Sequence, residues 1–592
     1  AGARQSIAMI DYRIEPDDLH AHQFRVTLTV PRPAAEQALS LPVWIPGSYL
    51  VREFARHLSG LQATQGSRAV DLEQIDKTRW VAHCEGRAAL RVSYRVYAFD
   101  SSVRAAFLDA RRGFFNGTSV FLRVEGREAE PHRVELGRLP RGWEVATAMA
   151  PDGAAAGGRR ARYLSADYDE LVDHPFELGG FWRGRFRARG VGHEFVVAGA
   201  WPGFDGRRLL DDTQRICETQ IAFWHGQGPR ARPPFHRYLF ALNVAEDGHG
   251  GLEHRASTAL LSARRNLPRV GAGATADDGY VDLLGLVSHE YFHAWHVKRL
   301  MPREFAALDY TRENYTRLLW WFEGATSYYD DLLLLRAGLI DAPRYLRLLA
   351  KNVNAVRTTP GRLLQSVADA SFDAWTKYYR ADENTTNATV SYYAKGALVA
   401  LALDLTLRAD GSSLDAVMRA LWRASGGGPI DEVDLLRELQ QCSGRSYQRE
   451  LDRWVHDVHE LPLPGLLQAM GVDITDDRAG LAAGLGLRLS EGPLSGVQVK
   501  SVLADSAAQR AGLSAGDELL AVDGWRVRKL DEALQWIGAE RAFALALVRD
   551  QRLLTLEVQP DPRAPIGRTV RLALAASADR EVLARRRAWL GR

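Results

Sequence analysis

Cysteine is scarce in this chain, with three residues among 592. Cys84, Cys217 and Cys442 lie far apart, and none belongs to a Cys-x-x-Cys pair. Disulfide frameworks use an even number of cysteines at short spacings, and cysteine zinc sites use paired ones. The sequence therefore argues against a disulfide-stapled fold and against a zinc site built from cysteines.

Long apolar runs and a strong net charge are also missing. No run reaches the roughly 18 residues that predict a membrane span. The net charge of +3 is too small to indicate nucleic acid as a partner. A chain with 46% hydrophobic and 25% charged residues is typical of a soluble globular protein. Because the chain starts without Met, the compartment is weakly constrained. A cytoplasmic location is favoured, and a periplasmic or secreted location stays open.

The pattern along the chain predicts a multidomain α+β protein. Polar and apolar residues alternate in 23–31 and 89–99, which predicts strands and an N-terminal β-sandwich domain over 1–175. A second domain is expected over 176–470, with a β subdomain (176–275) and a helical subdomain (276–470). Short β-like segments broken by glycines return from 480 to 560, within a predicted third domain over 471–562. The tail, 563–592, can form an amphipathic helix.

The stretch SHEYFHAWHVKRL (288–300) carries two histidines four residues apart. Residues 277–300 are predicted to form one helix, with Thr275 as a candidate N-cap. Positions i and i+4 share a helix face, so His289 and His293 can present both imidazoles to one ion, with Glu290 beside them. This is the HExxH arrangement of zinc metalloproteases. The alternative is a buried helix that carries histidines without a metal.

A third protein ligand is expected, because catalytic zinc commonly takes two histidines and a glutamate. Glu304, Glu313 and Glu323 all follow the histidines. Glu304 lies in a predicted loop and Glu313 in a polar stretch. Glu323 follows Trp320–Phe322 on an apolar helix, where a buried carboxylate is costly unless it is paired or binds a metal. Glu323 is therefore the predicted ligand.

Several stretches together resemble one family. HEYFHAW, WWFEGATSYY and SYYAKGAL are similar to the glycyl aminopeptidase family of zinc peptidases, distant relatives of aminopeptidase N and thermolysin. Residues 41–57 and 113–126 resemble that family's N-terminal domain. The resemblance implies a thermolysin-like catalytic domain with one Zn²⁺ per chain. The distance along the chain from His293 to Glu323 is longer than in thermolysin-like enzymes and requires an inserted loop. His296 is assigned no role.

Peptide hydrolysis needs an activated water molecule. Zinc lowers the pKa of bound water to about 7 and polarises the scissile carbonyl. Glu290, next to the predicted ligands, would be the general base. The resemblance implies that Tyr393 donates a hydrogen bond to the oxyanion, as the matching tyrosine does in aminopeptidase N-like enzymes. For any single tyrosine, a packing role is the alternative.

The segment GGLEH (250–254) resembles the GxMEN strand of aminopeptidase N, which pairs with the substrate backbone. That likeness implies substrate binding by Gly251, Leu252 and Glu253, with Glu253 contacting the free amino group. Leu252 stands in place of Met and His254 in place of Asn, so contacts made by the Asn do not carry over. Alternatively, the glycines serve a hairpin and Glu253 is an ordinary strand carboxylate.

Residues 483–527 resemble a PDZ domain of the bacterial protease type, with the signature SAAQRAGLSAGDELLAVDG. The loop GLGL matches the one whose backbone amides hold a terminal carboxylate; it comprises Gly484, Leu485, Gly486 and Leu487. Peptide C-termini would then bind by strand addition. The alternative is a spacer whose groove is unused.

The expected function is a zinc-dependent aminopeptidase acting on peptides with a free N-terminus. The resemblance implies a preference for Gly or Ala as the first residue. A PDZ-assisted zinc endopeptidase and an inactive peptide-binding scaffold are the alternatives. The intact HExxH motif, Glu323 and Tyr393 argue against the scaffold. Glu253 separates the two enzymes, because an amine-binding carboxylate favours unblocked N-termini.

Overall fold

The computed structural model describes residues 9–153, 161–538 and 540–591. The chain forms two compact units. One contains the described residues up to Asn314 together with Gly427–Pro429, and the other contains Tyr315–Gly426 and the described residues from Ile430 onward. The predicted multidomain α+β class is confirmed. Among the described residues, no helix combines the length and apolarity needed to cross a membrane.

The N-terminal part of the first unit is built from three sheets around one apolar core. The predicted alternation is present in Gln23–Val30, whose apolar positions are buried and whose polar positions are exposed or half-buried. The eight-stranded sheet has the order Ala150–Pro151, Arg162–Ser165, His132–Leu136, Ile10–Asp18, Gln23–Val30, Leu90–Tyr97, Leu58–Gln65, Arg68–Val70. One four-stranded sheet has the order Glu144–Ala146, Phe176–Gly179, Arg112–Phe115, Ala106–Leu108. The other has the order Arg123–Val124, Glu36–Ser40, Arg79–His83, Leu72–Gln74. Two short helices, Gly117–Val120 and Tyr168–Val172, complete this region.

A five-stranded sheet follows in the same unit. Its order is Trp182–Ala188, Val191–Ala198, Arg237–Ala245, Ser257–Ala263, His249–Glu253. Arg237–Ala245 runs parallel to both neighbours, and its continuous apolar run fits a strand covered on both faces. The helices Gly206–His225 and Asp278–Phe292 pack against each other, and the second also packs on the last two strands. His249–Glu253, here called the edge strand, therefore lies beside the helix that carries the histidine pair.

The second unit begins with helices. They are Leu319–Phe322, Gly324–Arg336, Ala342–Arg357, Val367–Phe372, Thr385–Ala388, Ala394–Ala409, Leu414–Ser425, Glu432–Ser443, Gln448–Trp454 and Leu463–Ala469. Gly324 and Gly396 lie where two of these helices cross. A Cβ added to Gly324 would lie 2.5 Å from the Gly396 Cα, so the crossing needs glycine. Glu323 directly precedes Gly324, and Tyr393 lies three residues before Gly396.

The C-terminal β module has its own apolar core. Its strands are Leu487–Gly492, Gly496–Val502, Glu518–Val522, Trp525–Arg526, Phe543–Arg549 and Arg552–Val558, and its helices are Leu481–Leu485 and Ala507–Arg510. The segment 563–592, predicted as a tail with one helix, also contributes a strand. Arg568–Leu574 pairs antiparallel with Val472–Arg478, and the helix Arg580–Leu590 follows.

Candidate metal centre and substrate site

The helix that carries the histidine pair is shorter than the predicted 277–300. It spans Asp278–Phe292, and its N-cap is Asp277 rather than Thr275. The Asp277 side chain accepts a hydrogen bond from the Tyr280 backbone N–H at 2.8 Å, which satisfies one of the amides left free at a helix start. After Phe292 the chain turns, and the backbone N–H of Lys298 donates to the His293 carbonyl at 3.1 Å.

The two imidazoles of HExxH point at each other. The Nε2 atoms of His289 and His293 lie 3.1 Å apart. Nδ1 of His293 lies 2.6 Å from the carbonyl oxygen of His296. A carbonyl only accepts, so Nδ1 carries the hydrogen and Nε2 turns a lone pair toward His289. Two nitrogens bound to one tetrahedral zinc at 2.0–2.1 Å would lie about 3.3 Å apart. The pair therefore fits a shared metal ion.

His296 contributes to this arrangement through its backbone. Its carbonyl orients the His293 ring, which is the outer-shell contact that metal-bound histidines usually make. Sequence reasoning gave His296 no role. The side-chain type carries no signal for a contact made by a backbone oxygen, so the motif alone could not predict it.

Two carboxylates lie close to His293. Glu253, Glu290 and His293 each place one potential ligand atom within 4.8 Å of the others. Glu253 is 4% exposed and Glu290 is 5% exposed. Two buried carboxylates this close to each other are costly unless a cation or a proton is shared among them. The grouping favours a site that receives positive charge.

Gly251 lets the edge strand approach the helix. A Cβ at this position would overlap the Glu290 carboxylate. The side chain of Leu252 is fully buried in the core of the N-terminal sheets. Of the predicted substrate-binding residues on this strand, Gly251 and Leu252 can therefore offer only backbone groups. Glu253 can also offer its carboxylate, and the strand lies at the edge of its sheet, where a peptide can add.

The carboxylate of Glu253 also lies close to a turn in the N-terminal part of the unit. Gly47, in the turn between Ile45 and Ser48, has a φ of +90°. A Cβ there would lie 2.5 Å from Oε1 of Glu253. A cavity of about 720 Å³ borders both residues. Aromatic side chains line part of it, namely Trp44, Tyr49, Phe235, Phe305 and Tyr310.

A buried ion cluster holds the end of the edge strand. Oδ1 of Asp173 accepts from Lys298 Nζ at 2.7 Å and lies 3.2 Å from Nδ1 of His254. Oδ2 accepts from the Arg255 backbone N–H at 2.8 Å. Burial raises the pKa of Asp173, but the charges of Lys298 and His254 outweigh it and hold that pKa below its usual value. Sequence reasoning missed Asp173, and His254 in place of Asn was the only local signal.

In the second unit, Glu323 and Tyr393 lie near each other. Glu323 is fully buried at the junction of Leu319–Phe322 and Gly324–Arg336. Tyr393 is half-buried and directly precedes the helix Ala394–Ala409. Burial, and next the charge of Glu323, raise the pKa of the Tyr393 phenol well above its usual value. The phenol therefore keeps its proton and can donate a hydrogen bond. Tyr392 stacks on it with ring centroids 4.7 Å apart and is itself fully buried.

The predicted carboxylate loop of the C-terminal module is largely helical. Gly484 and Leu485 belong to the helix Leu481–Leu485, Gly486 caps it with a φ of +78°, and Leu487 starts the outer strand of the sheet. The Gly484 and Gly486 amides donate to the carbonyls of Gly480 at 2.9 Å and Ala483 at 3.0 Å. Two of the amides expected to hold a ligand thus have partners within the chain.

Family models match three parts of the chain. The Peptidase M61 N-terminal domain matches residues 11–180, M61 glycyl aminopeptidase matches 282–399, and the PDZ domain matches 473–537. No curated protein matches the chain.

Solved structures also match. An aminopeptidase N family protein from Idiomarina loihiensis is 36% identical, with a TM-score of 0.92 over 98% of this chain and 100% of that chain. An M1 zinc metallopeptidase from Deinococcus radiodurans is 17% identical and covers 77% of this chain and 95% of that chain. Its TM-score of 0.47 is too low to support an argument.

Proposed function

The chain belongs to the M61 glycyl aminopeptidase family, and from that premise we propose that it is a zinc enzyme that removes a small first residue from peptides. The family supports a metallo-aminopeptidase. The observation that carries the choice of zinc is the pair of histidine Nε2 atoms 3.1 Å apart on one helix face. The preference for Gly or Ala rests on the family resemblance alone.

The proposed ligands are His289, His293 and Glu323. Histidine nitrogens and one carboxylate form a donor set that suits zinc and leaves a fourth position for water. The support for Glu323 comes from its motif and from its full burial within its own unit, because buried carboxylates are commonly paired or bound to metals. The pKa of nearby Tyr393 is raised partly by the Glu323 charge.

Glu290 is the proposed general base. A bound zinc ion supplies an activated water and polarises the scissile carbonyl. Glu290 takes the water proton on its carboxylate and passes it to the leaving amine. Its packing against Gly251 holds the carboxylate beside the edge strand, where the substrate backbone would pair. Tyr393, which keeps its phenol proton, is the proposed hydrogen-bond donor to the oxyanion.

Glu253 is proposed to bind the free α-amino group. Backbone groups of the edge strand would pair with the substrate and direct its N-terminus toward the end of that strand. An ammonium and a buried carboxylate form a strong charge-assisted hydrogen bond. A blocked terminus offers no charge and leaves Glu253 buried beside another carboxylate, so unblocked peptides should be preferred.

The C-terminal module is a PDZ domain, and its fold is compatible with peptide binding at the outer strand Leu487–Gly492. We propose that its main role here is as a spacer. Asn387 accepts from the Ala504 N–H at 2.8 Å and donates to the Val502 carbonyl at 2.9 Å, which ties the module to the helices of the same unit. Capture of peptide C-termini by residues 484–487 would require amides that already have partners.

Elemental analysis tests the zinc proposal. Metal-complete wild type should contain one zinc per chain, and Glu323→Ala should bind zinc much more weakly. Glu313→Ala is the matched control, because Glu313 follows the same histidines but lies in a polar, half-buried stretch. Zinc affinity equal to wild type in Glu323→Ala would show that Glu323 is not a ligand.

A panel of dipeptide amides tests the first-residue preference separately. Gly and Ala substrates should have a higher kcat/KM than Leu and Phe substrates of the same leaving group. Equal or better hydrolysis of Leu and Phe would replace the small-residue preference with a broad one, which the aromatic-lined cavity beside Glu253 could accommodate.

A further inference from the structure

We propose that the turn Ile45–Ser48, in the N-terminal part of the first unit, forms the closed end of the subsite for the substrate's amino group, here called the wall. Gly47 is the positioning residue that fixes where the Glu253 carboxylate stands. The proposal rests on the amine-binding role of Glu253 and adds a part of the site contributed by a different domain. If the turn closes this subsite, the substrates are peptides with a free amino terminus that carries no blocking group and no further residue.

The contact between Gly47 and Glu253 leaves no space for a side chain. A Cβ at Gly47 would lie 2.5 Å from Oε1 and 2.7 Å from Cδ and Oε2 of Glu253. The φ of +90° at Gly47 is a second reason for glycine, since L-residues rarely adopt it. The backbone of the turn therefore lies against the carboxylate with no room for a side chain between them.

Hydrogen bonds and burial fix the position of the turn. The Ser48 N–H donates to the Ile45 carbonyl at 3.1 Å, and Arg52 donates to the Ser48 Oγ at 2.6 Å. The Trp44 indole donates to the Asp309 carbonyl at 2.8 Å. Ile45 and Ser48 are fully buried. The turn therefore has little freedom to retreat from Glu253.

The edge strand that carries the Glu253 carboxylate is also fixed by its neighbours. Asp173 binds the two residues after Glu253, through the His254 ring and the Arg255 N–H. Gly251, two residues before Glu253, packs against the Glu290 carboxylate. Glu253 thus stands between two fixed backbones, which gives its carboxylate one position. An amino group bound there lies at a set distance from His293, and a longer N-terminal extension would have to pass Gly47.

Gly47→Ala tests the wall, with Gly66→Ala as the matched control. Gly66 also has a positive φ, +61°, in the same N-terminal region, but a Cβ there would meet nothing within 4 Å. Both variants place alanine at a positive φ and so carry backbone strain. Only in Gly47→Ala does the new Cβ overlap the Glu253 carboxylate. The readouts are zinc content, thermal midpoint, and the ratio of kcat/KM for a free peptide to that for its N-acetylated form.

Gly47→Ala should keep its zinc, raise KM for free peptides and narrow the free-to-acetylated ratio by at least about tenfold. Gly66→Ala should lower only the thermal midpoint. Glu253→Asp shortens the side chain by one methylene and makes room for the new Cβ. The effect of Gly47→Ala on the ratio should therefore be much smaller in the Glu253→Asp background.

The outcomes distinguish failure of the wall from failure of the amine-binding role of Glu253. Suppose that the wild type prefers the free peptide to its N-acetylated form. The proposed wall is then overturned if Gly47→Ala leaves the free-to-acetylated kcat/KM ratio unchanged, or if the effects of Gly47→Ala and Glu253→Asp on that ratio are additive. If the wild type cleaves the free and the N-acetylated peptide equally well, the amine-binding role of Glu253 is overturned, and this proposal with it. If Gly47→Ala does not fold, the double variant decides. Recovery of folded, zinc-containing protein supports the overlap with Glu253, and equal failure overturns it.

Discussion

Glycine and glutamate act in pairs around the proposed reaction centre. Gly251 makes room for Glu290, and Gly47 makes room for Glu253. In both pairs the glycine allows backbone to lie against a buried carboxylate. The same two carboxylates lie within 4.8 Å of a ligand atom of His293. The arrangement of this proposed site therefore depends on two positions that carry no functional group.

Glu290→Gln should retain zinc and lose most turnover. The amide preserves the size and shape that fit over Gly251, but it cannot accept the proton from water. We expect kcat to fall by at least about 100-fold, within the usual range for loss of a general base. Steady-state kinetics and elemental analysis on the same preparation check this. Loss of the metal would assign Glu290 a structural or ligand role instead.

Tyr393→Phe should lower kcat more than it raises KM. An oxyanion donor acts mainly in the transition state, so its loss leaves ground-state binding nearly intact. The expected decrease in kcat is about 100-fold, as for removal of one such donor. Tyr392→Phe is the matched control, because that ring is fully buried against Tyr393. A change confined to KM would contradict the assigned role.

At the scale of elements, two helices in the second unit meet at glycines. A Cβ at Gly396 would lie 2.6 Å from the Trp320 carbonyl and 3.0 Å from the Gly324 Cα. Glu323, the proposed zinc ligand, and Tyr393, the proposed oxyanion donor, lie within one turn of this crossing. Helix packing this close sets the separation of these two residues, so we expect the crossing to matter for the proposed function as well as for the fold.

Gly396→Ala should force these helices apart. We expect a lower thermal midpoint, weaker zinc binding and lower kcat, because both Glu323 and Tyr393 move. Gly465→Ala is the control, since Gly465 lies in the helix Leu463–Ala469 with open space around it. There Ala should be neutral or stabilising by up to about 1 kcal/mol. Equal behaviour of the two variants would show that the crossing tolerates separation.

Sequence patterns predicted individual elements better than their ends. The strands in 23–31 and 89–99 follow from alternation, because one face of each is buried. The histidine helix ends at Phe292 instead of 300, since the turn after it is fixed by hydrogen bonds between backbone groups. Apolar content alone does not show where such bonds will form.

The motif residues of the candidate site could be found from sequence, and their supports could not. HExxH and GGLEH are local patterns with known spacing. Asp173 and Gly47 are roughly 80 and 200 residues away from the strand they support. Asp173 lies in no recognised motif, and the resemblance of 41–57 to the family's N-terminal domain does not reveal that Gly47 lies beside Glu253. Only the folded chain brings them to Glu253, so their roles remain predictions from the structure.

At the scale of the whole molecule, the C-terminal helix is anchored in the second unit. Trp589 is fully buried, its indole donates to the Tyr328 hydroxyl at 3.0 Å, and its carbonyl accepts from Arg336 at 2.8 Å. Tyr328 and Arg336 both lie on the helix that follows Glu323. The end of the chain thereby braces the helix next to the proposed ligand.

Trp589→Ala should destabilise the second unit by about 3–5 kcal/mol, the usual cost of removing a buried tryptophan. Differential scanning calorimetry should show a lower midpoint for one transition. Trp525→Ala is the control, because Trp525 is 68% exposed and should change little. Similar losses in both variants would show that burial of Trp589 is not an anchor.

The central claim is that this chain is a zinc aminopeptidase whose site requires a free amino group. The most direct test compares hydrolysis of one peptide with a free and with an acetylated N-terminus, with and without a chelator, and after zinc is restored. We expect release of the first residue from the free peptide, slow or no cleavage of the acetylated peptide, loss of activity with chelator and recovery of activity with zinc. Internal cleavage of the acetylated peptide as fast as cleavage of the free one would contradict the aminopeptidase and support the endopeptidase.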